Sequence, residues 1–194
     1  MNTKELLHLV AKDERGSFDM FYHLYYEQVF RFTFYFLRDK EACREVVADV
    51  FFSVWQSRKR LKDIENIETY LYITVRNESA RFLKRNNNSS FISLEQIPIQ
   101  LEQSVASSPE DEIYNKEVDQ LLTKVINELP EKCRIIFLMI REEGLKPKQI
   151  AEILSIKEST IRVQMKIAID KIVNAVKSYF PNLPFSILLF LLLC

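Results

Sequence analysis

Between Lys157 and Lys166 the sequence contains hydroxyl, guanidinium, amide and ammonium groups within about three helical turns. Side chains of these types donate hydrogen bonds to phosphate oxygens and to base edges in the DNA major groove. The apolar residues of the stretch recur at three- and four-residue steps and predict one buried stripe: Ile161, Met165, Ala168 and Ile172. The other side of the helix is predicted to face outward and to carry Glu158, Ser159, Thr160, Arg162, Val163, Gln164 and Lys166.

A short helix and a tight turn must position this polar cluster. The helix is predicted from Pro147 to Leu154, because proline suits a first helical turn. Its inward face is predicted to comprise Ile150, Ala151 and Leu154. The turn is Ser155-Ile156-Lys157, where we expect an inward apolar plug at Ile156. With no glycine at this turn, either Ser155 adopts a positive φ or the turn differs slightly from the usual one. This order of elements is typical of a helix-turn-helix that enters the DNA major groove.

A supporting helix is predicted in front of this unit, opening at Leu129-Pro130 and ending at Gly144. Its inward stripe is predicted to comprise Cys133, Ile136, Phe137 and Ile140. An earlier helix is predicted to open at Ser108-Pro109, and its apolar residues are Tyr114, Val118, Leu121, Leu122, Val125 and Leu129. The alternative interpretation is a plain helical bundle whose basic residues form only a solvated face.

Charge is distributed unevenly along a chain whose formal net charge is zero. Residues 58–85 contain eight Lys or Arg against four Asp or Glu, and residues 131–177 contain ten against six. Residues 95–119 between these blocks contain seven acids and only one base. Two basic blocks that flank an acidic connector favour nucleic acid as a partner, although the total charge does not.

The usual enzyme classes find little support in the composition. The chain has two Gly, which argues against a glycine-rich phosphate loop, and His8 and His23 lie near no plausible catalytic partner. Cys43, Cys133 and Cys194 are far apart and lack metal-ligand spacing, so we expect reduced thiols in a cytoplasm. We therefore predict no catalytic residue, no metal, no cofactor and no small-molecule substrate. The first 18 residues lack the apolar core of a secretory signal.

Three helices are predicted in the first half, with Ser17, Asp39 and Asn66 as their N-caps. The first runs to about Leu37 and its inward residues are Phe21, Tyr25, Val29, Phe32 and Phe36. The inward residues of the second are Cys43, Val46, Val47, Val50, Phe51 and Val54. A polar, basic loop at 57–66 separates it from the third, which ends near Arg85. The predicted fold class is therefore all-α, with two small helical domains joined by a flexible linker, the second a helix-turn-helix.

Two surfaces of the first domain are predicted to bind partners. Phe52 and Trp55 lie partly off the inward stripe beside Asp49 and Gln56, and exposed aromatic residues beside acids favour protein docking. The third helix interleaves aromatic, amide and basic residues along a polar edge: Tyr70, Arg76, Asn77, Arg81, Lys84 and Arg85. This pattern is typical of single-stranded DNA binding, since bases stack on rings and phosphates meet cations.

The two halves together resemble a known family. The segments EACREVVADVFFSVW and NIETYLYITVRNESARFLKR, followed by LPEKCRIIFLMI and IAEILSIKESTIRVQMKIAIDKI, resemble the sigma-70 family of bacterial transcription initiation factors. The absence of other domains is similar to the extracytoplasmic-function group. Details such as Asn66-Ile67-x-x-Tyr70-Leu71 resemble sigma factors of Bacteroidetes-type organisms. The resemblance covers roughly residues 14–177 and implies sigma region 2 at 14–86, a linker at 87–108 and region 4 at 109–178.

The resemblance also implies roles for matching residues. Those that match the surface gripping the clamp helices of the polymerase β′ subunit are Asp49, Val50, Phe52, Trp55 and Gln56. The residues that match the part melting and reading the −10 element are the loop at 62–67 together with Tyr70, Arg76, Asn77, Arg81, Lys84 and Arg85. The residues that match the −35 reading helix are Lys157, Ser159, Thr160, Arg162, Gln164 and Lys166. Core polymerase, including its β subunit, and promoter DNA are then the partners.

Alternative functions and the last segment complete the sequence-based expectations. The interpretation as an ordinary helix-turn-helix regulator accounts for the second domain alone, and that as an anti-sigma or adaptor protein accounts only for the docking surfaces.

The tail at 179–194 contains the apolar run FSILLFLLLC, which as a helix reaches about 15 Å and cannot span a bilayer core of about 30 Å. It either packs on its own domain or is dispensable, or it is captured by the membrane surface or by a membrane-associated anti-sigma factor.

Overall fold

The computed structural model describes residues 2–86 and 120–179, and every regular element in these two ranges is helical. The all-α prediction is therefore confirmed. The chain divides into two compact units, residues 1–93 and 94–194. The predicted linker, the helix opening at Ser108-Pro109 and the apolar tail from residue 180 onward lie outside the described residues. Within the described part, no helix is both long enough and apolar enough to cross a membrane.

The first unit contains four α-helices and one 3-10 helix. These are α1 (Thr3–Ala11), α2 (Ser17–Leu37), α3 (Lys40–Gln56), the 3-10 helix (Arg58–Asp63) and α4 (Ile67–Arg85). Helices α2, α3 and α4 pack against one another, and α1 packs on the 3-10 helix and on α2. Burial of the apolar faces of these helices drives their packing into one core.

Two of the three predicted N-caps are confirmed. Asp39 accepts a hydrogen bond from the backbone N–H of Ala42 at 2.7 Å, and Asn66 accepts one from Thr69 at 2.9 Å. Each carboxylate or amide oxygen thus satisfies a backbone N–H that has no partner within the helix. The cap assigned to Ser17 is wrong, because Gly16 is the N-cap residue and adopts a left-handed φ of 79°.

The predicted buried stripe of α3 is confirmed in full, since all six of its residues are buried. In α2, Tyr35 is buried and Phe36 is only half-buried, which corrects the last position of that stripe. No helix was predicted before residue 17, where the structure has α1. The segment after α3 is not an irregular loop, because it forms the 3-10 helix and buries Leu61 completely.

The second unit contains helix α5, described over 120–127, and then α6 (Glu131–Arg141), α7 (Pro147–Leu154) and α8 (Glu158–Tyr179). Helix α8 packs on α6 and α7, so the predicted helix-turn-helix and its supporting helix are present. The buried face of α7 consists of Ile150 and Ile153, whereas Ala151 and Leu154 are only half-buried. Ile140 in α6 and Met165 in α8 are likewise half-buried rather than central to the core.

Two left-handed residues set the turns of the second unit. Gly144 has a φ of 60° and follows α6, as the sequence predicted. Ser155 ends α7 with a φ of 55°, so of the two alternatives for this non-glycine residue the structure shows the positive φ. Ile156 is 37 % exposed, so the prediction of an inward apolar plug at this position is wrong. Its backbone N–H instead bonds to the carbonyl of Ala151 at 3.0 Å, which closes the end of α7.

Candidate nucleic-acid and partner interfaces

The outer face of α8 presents most of the residues predicted to read DNA. Lys157, Ser159, Thr160, Arg162 and Lys166 are exposed. On the opposite side of the helix, the fully buried residues that fix it on α6 and α7 are Ile161, Ala168 and Ile172. The rigid core contact therefore holds the first three turns of α8 with their polar side chains in solvent. This arrangement fits a helix that contacts base edges near its N-terminal end.

One ion pair is present on this face in the protein without DNA. Arg162 donates to Glu158 at 2.6 Å across one helical turn, and both side chains are largely or partly exposed, at 72 % and 43 %. Such an exposed pair contributes only a few tenths of a kcal/mol. The guanidinium can therefore exchange this carboxylate for a phosphate or a guanine edge at little cost. Within the described residues, Lys166 makes no ion pair at all.

Gln164 does not lie on the outer face as predicted. It is half-buried, and its side-chain carbonyl accepts a hydrogen bond from the Cys133 thiol at 2.9 Å. Cys133 is buried in α6, so this contact ties the supporting helix to α8. Gln164 therefore borders the DNA-facing surface instead of leading it.

Val163 and Gln164 were both predicted on the outer face of α8, and of the two Val163 is the one that is exposed there. It is 56 % exposed and lies one turn from Ser159 and one turn from Lys166. Val163 was predicted to face outward but was given no binding role, because its side chain offers no hydrogen bond. The structure confirms that it lies opposite the buried stripe, as the helical period indicates.

On α4 the predicted single-stranded DNA surface divides into exposed and half-buried positions. Asn77, Arg81, Lys84 and Arg85 are exposed, while Tyr70 and Arg76 are half-buried. Tyr70, Asn77, Arg81 and Lys84 follow one another at spacings of seven, four and three, so they form one stripe along the helix. Such a stripe can stack a base on the tyrosine ring and hold phosphates further along.

Most cations of this surface already bind other protein groups. Arg81 donates at 2.7 Å to Glu78, whose side chain is only 10 % exposed. The guanidinium of Arg76 donates twice to the side-chain oxygen of Asn77, at 3.1 and 2.7 Å.

Arg85 links α4 to the outer side of α3. Its guanidinium donates at 2.5 Å to Glu45 of α3 and lies 5.7 Å from the ring centre of Phe82. The acid, the base and the ring therefore fasten the last turn of α4. We expect Arg85 to contribute to the position of this surface as well as to its charge.

The predicted polymerase-docking surface needs one correction. Phe52 is 61 % exposed and Gln56 is exposed, while Asp49 is half-buried. Val50 is fully buried in the core of the first unit and cannot contact a partner, so its assignment to this surface is wrong. The same four-residue spacing that buries Val46, Val50 and Val54 places Phe52 on the outer side of α3.

Trp55 is half-buried and is held by contacts within its own unit. Its ring meets that of Phe18 edge-on, with centroids 4.9 Å apart, and the Arg58 guanidinium carbon lies 4.1 Å from its centroid. Arg58 also bonds to Asp13 at 3.1 Å. This cation–π contact orders the end of α3 and leaves only part of the indole for a partner.

Each unit contains a buried thiol with a raised pKa. Burial, and secondarily the charge of Asp39, raise the pKa of Cys43 from its ordinary value of 9.0 to about 12. Burial also raises the pKa of Cys133, although the nearby charge of Lys171 opposes this shift. Both thiols are therefore protonated and unreactive at neutral pH. In the described parts of the chain, no cluster of three or more His, Cys, Asp or Glu side chains could hold a metal ion.

Comparison with known proteins adds family information to this geometry. Residues 21–89 match the family model described as Sigma-70 region 2, and residues 119–172 match the one described as Sigma-70, region 4. The "ECF RNA polymerase sigma factor SigM" of Bacillus subtilis (strain 168) is 23 % identical over 146 residues, which cover 75 % of this chain and 86 % of that protein.

A solved structure shares the fold. The structure of CnrH in complex with the cytosolic domain of CnrY superimposes with a TM-score of 0.56 at 12 % identity. The similarity covers 90 % of this chain and 97 % of that one. The match extends over nearly the whole of both chains, so the arrangement of helices described above is a known one.

Proposed function

Since the chain belongs to the sigma-70 family of transcription initiation factors and to its extracytoplasmic-function subfamily, we propose that its two helical units bind core RNA polymerase together and read two promoter elements separately. As a sigma factor, the chain directs promoter-specific initiation of transcription. We further propose which residues contact the polymerase and which contact the promoter. We expect that this chain itself makes or breaks no covalent bond. We place region 2 at 14–86, the linker at 87–108, region 4 at 109–178 and an apolar tail at 179–194.

The proposed −35 reader is the first half of α8. Arg162 and Lys166 are its principal cations, Ser159 and Thr160 supply hydroxyl groups, and Lys157 lies at the entry to the helix. All five side chains are exposed on one side of a helix whose other side is anchored in the core. Arg162 is the residue we expect to contact a guanine edge, because its exposed pair with Glu158 is cheap to exchange.

The proposed −10 reader is α4 with the preceding segment at 62–67. Tyr70 provides a ring on which an unpaired base can stack, and Asn77 provides an exposed amide about two turns further along the stripe. Arg81, Lys84 and Arg85 supply positive charge toward the C-terminal end of the helix, where the helix dipole favours cations.

The proposed contact with the β′ clamp helices is centred on Phe52, with Asp49, Gln56 and the accessible part of Trp55 around it. Phe52 is a large apolar side chain that is 61 % exposed and that the fold of its own unit leaves uncovered. Aromatic residues in the middle of a polar surface are frequent anchors of protein interfaces.

Neither DNA surface suffices alone. If the second unit neutralises about four phosphates, its binding constant falls with salt at a logarithmic slope near −4, which is modest. Each good base contact adds roughly 1–3 kcal/mol of discrimination. Polymerase that holds both units at a fixed separation makes two weak sites act as one. We therefore expect this sigma factor to bind core polymerase first and the promoter second.

A cytoplasmic location and a membrane-associated anti-sigma partner complete the proposal. A factor that works with polymerase and DNA must act where both are found. The structure that shares this fold was solved in complex with the cytosolic domain of a second protein, CnrY. We propose that a membrane-associated anti-sigma protein sequesters this chain until a signal releases it.

The exposed Phe52 carries the polymerase-docking proposal, and its removal tests it. We expect Phe52→Ala to weaken binding to purified core polymerase at least about fivefold, because anchor residues of interfaces are worth more than about 1 kcal/mol. Its thermal unfolding should not change, since the side chain is largely in solvent. The matched control is Leu24→Ala on α2, which removes an equally exposed apolar side chain (59 %). Normal binding by Phe52→Ala with weakened binding by Leu24→Ala would move the docking surface to α2.

An ordinary helix-turn-helix regulator is not favoured. Such a protein would need only the second unit, whereas residues 21–89 match sigma region 2. It would also bind duplex DNA tightly without polymerase, which the few cations on α8 do not support.

A further inference from the structure

Val163 is an exposed apolar residue at the centre of a polar helix face. Residues four before it and three after it share its side of α8, and these are Ser159 and Lys166. The buried residues Ile161, Ala168 and Ile172 lie on the other side of the helix. Val163 is 56 % exposed, so it has no part in the core that anchors α8.

A single exposed apolar residue is common on protein surfaces and by itself means little. Val163, however, has an apolar neighbour one turn further on, Ile167, which is 36 % exposed. The two form a short apolar strip bordered by Arg162 and Lys166. These flanking cations can bind phosphates and base edges, which would place the DNA against Val163 and Ile167.

The major groove contains one apolar group that such a strip can recognise. Thymine presents its C5-methyl group there, whereas cytosine presents an N4 amino donor and guanine presents two acceptors. Valine in a helix has essentially one χ1 rotamer, so its two methyl groups are already fixed before binding. A methyl–methyl contact from this position therefore costs little side-chain entropy.

We propose that Val163 is a specificity-determining residue that selects a thymine in the −35 element by van der Waals contact with its C5-methyl group. The inference rests on the proposed role of α8 in reading the −35 element. It adds to that role a discrimination between thymine and the other bases that does not depend on any hydrogen bond.

The test uses holoenzyme assembled from core polymerase and the full chain, with run-off transcription as the readout. A promoter is first selected from templates with a randomised −35 region. Each thymine of the selected −35 region is then replaced, one at a time, by uracil, which differs only in lacking the methyl group. We expect one replacement to reduce initiation by wild-type holoenzyme about fourfold, the effect of losing about one buried methylene-sized group.

Two variants make the test specific to Val163. Val163→Ala should transcribe the thymine and uracil templates equally, whereas Leu24→Ala in the other unit should keep the wild-type ratio. Val163→Thr, which retains one methyl group, should give an intermediate ratio. All three substitutions lie on exposed positions, so folding is not at risk.

The outcomes separate this inference from the proposed function beneath it. If wild-type holoenzyme initiates at the selected promoter but treats every uracil template like its thymine parent, the role of Val163 is overturned and −35 reading by α8 stands. A uracil effect that persists unchanged in Val163→Ala also overturns it. If initiation is indifferent to scrambling the whole −35 region, the proposed reading by α8 fails, and the inference fails with it.

Discussion

The two proposed DNA-reading helices differ in what their cations do before DNA arrives. On α4, Arg81 binds Glu78 and Arg85 binds Glu45, so both are also structural links of the first unit. On α8, Arg162 has only an exposed partner one turn away, and Lys166 makes no ion pair in the described residues. The cations of α4 thus also stabilise the first unit, whereas those of α8 lie on the exposed face of a helix whose opposite face is buried. A surface that must open DNA gains from rigidity, and one that reads a duplex gains from accessible donors.

The largest effect that this difference predicts is at Arg162. We expect Arg162→Ala to reduce initiation from a −35-dependent promoter by about 10- to 100-fold, because one bidentate base contact is worth roughly 1–3 kcal/mol. Binding to core polymerase and thermal stability should remain those of wild type, since the side chain is 72 % exposed. Run-off transcription and a core-binding titration measure the two quantities. A loss of core binding instead would show that the outer face of α8 is turned toward polymerase.

The two buried thiols predict a smaller effect, in which the pH dependence of folding stability is greater for the thiol of the first unit than for that of the second. Cys43 has its pKa raised to about 12, so the folded state keeps a proton that the unfolded state loses above about pH 9. The contribution of Cys43 to the free energy of unfolding is therefore fully present below pH 9, and it is lost as the pH rises toward 12. At about pH 10.5 the loss is about 2 kcal/mol, because each pH unit removes about 1.4 kcal/mol. Urea denaturation at a series of pH values measures it.

The control for this prediction is Cys43→Ala, which should show a shallower fall in stability over the same pH range. Tyr22 and Tyr25 also have pKa values raised by burial, but they are present in both proteins and cancel in the comparison. Cys133→Ala should change the slope less than Cys43→Ala does, because Lys171 opposes the pKa shift of Cys133. Equal slopes for Cys43→Ala and wild type would contradict the account.

The structural role of the α4 cations predicts a stability loss of about 1 kcal/mol for Arg81→Ala. This substitution leaves the nearly buried Glu78 carboxylate without its charged partner, and an unsatisfied buried group is costly. Lys84→Ala on the same helix is the matched control, since Lys84 is exposed and makes no ion pair among the described residues. Chemical denaturation should separate the two variants. Equal stabilities would mean that Arg81 is as free for DNA as the cations of α8.

The smallest predicted effect is that of Lys166→Ala. Loss of one phosphate contact should make the salt dependence of −35 duplex binding shallower by about 0.9 in logarithmic slope. Stability should not change, and base preference should not change either. A titration of holoenzyme on promoter DNA at several salt concentrations gives this slope. An altered base preference without an altered slope would show that Lys166 contacts a base rather than a phosphate.

Local patterns in the sequence predicted most of the fold. Helical periodicity found the stripe of α3, and the short polar side chains of Asp39 and Asn66 marked the starts of α3 and α4, because caps and periods depend on residues close in the chain. The positive φ of Ser155 was one of two alternatives that the absence of glycine at this turn left open. The apolar plug at Ile156 failed because whether a turn residue is covered depends on packing from other helices.

The errors at the candidate sites have a common physical origin. Val50 was assigned both to the core and to a docking surface, and only its burial decides between them. Gln164 was expected to face DNA, but Cys133, 31 residues earlier in the chain, accounts for its inward turn. The contacts of Trp55 with Arg58, and of Arg58 with Asp13, likewise join distant residues. Side-chain partners that fold together from far apart leave no periodic signal, so sequence reasoning could not place them.

The most direct test of two surfaces acting as one factor is run-off transcription by purified core polymerase on a genomic promoter library, with and without this chain. If each unit reads its own promoter element, we expect new start sites that share two upstream motifs at a fixed spacing, one for each unit. New starts that share only one motif, or tight duplex binding without polymerase and no new transcripts, would contradict it.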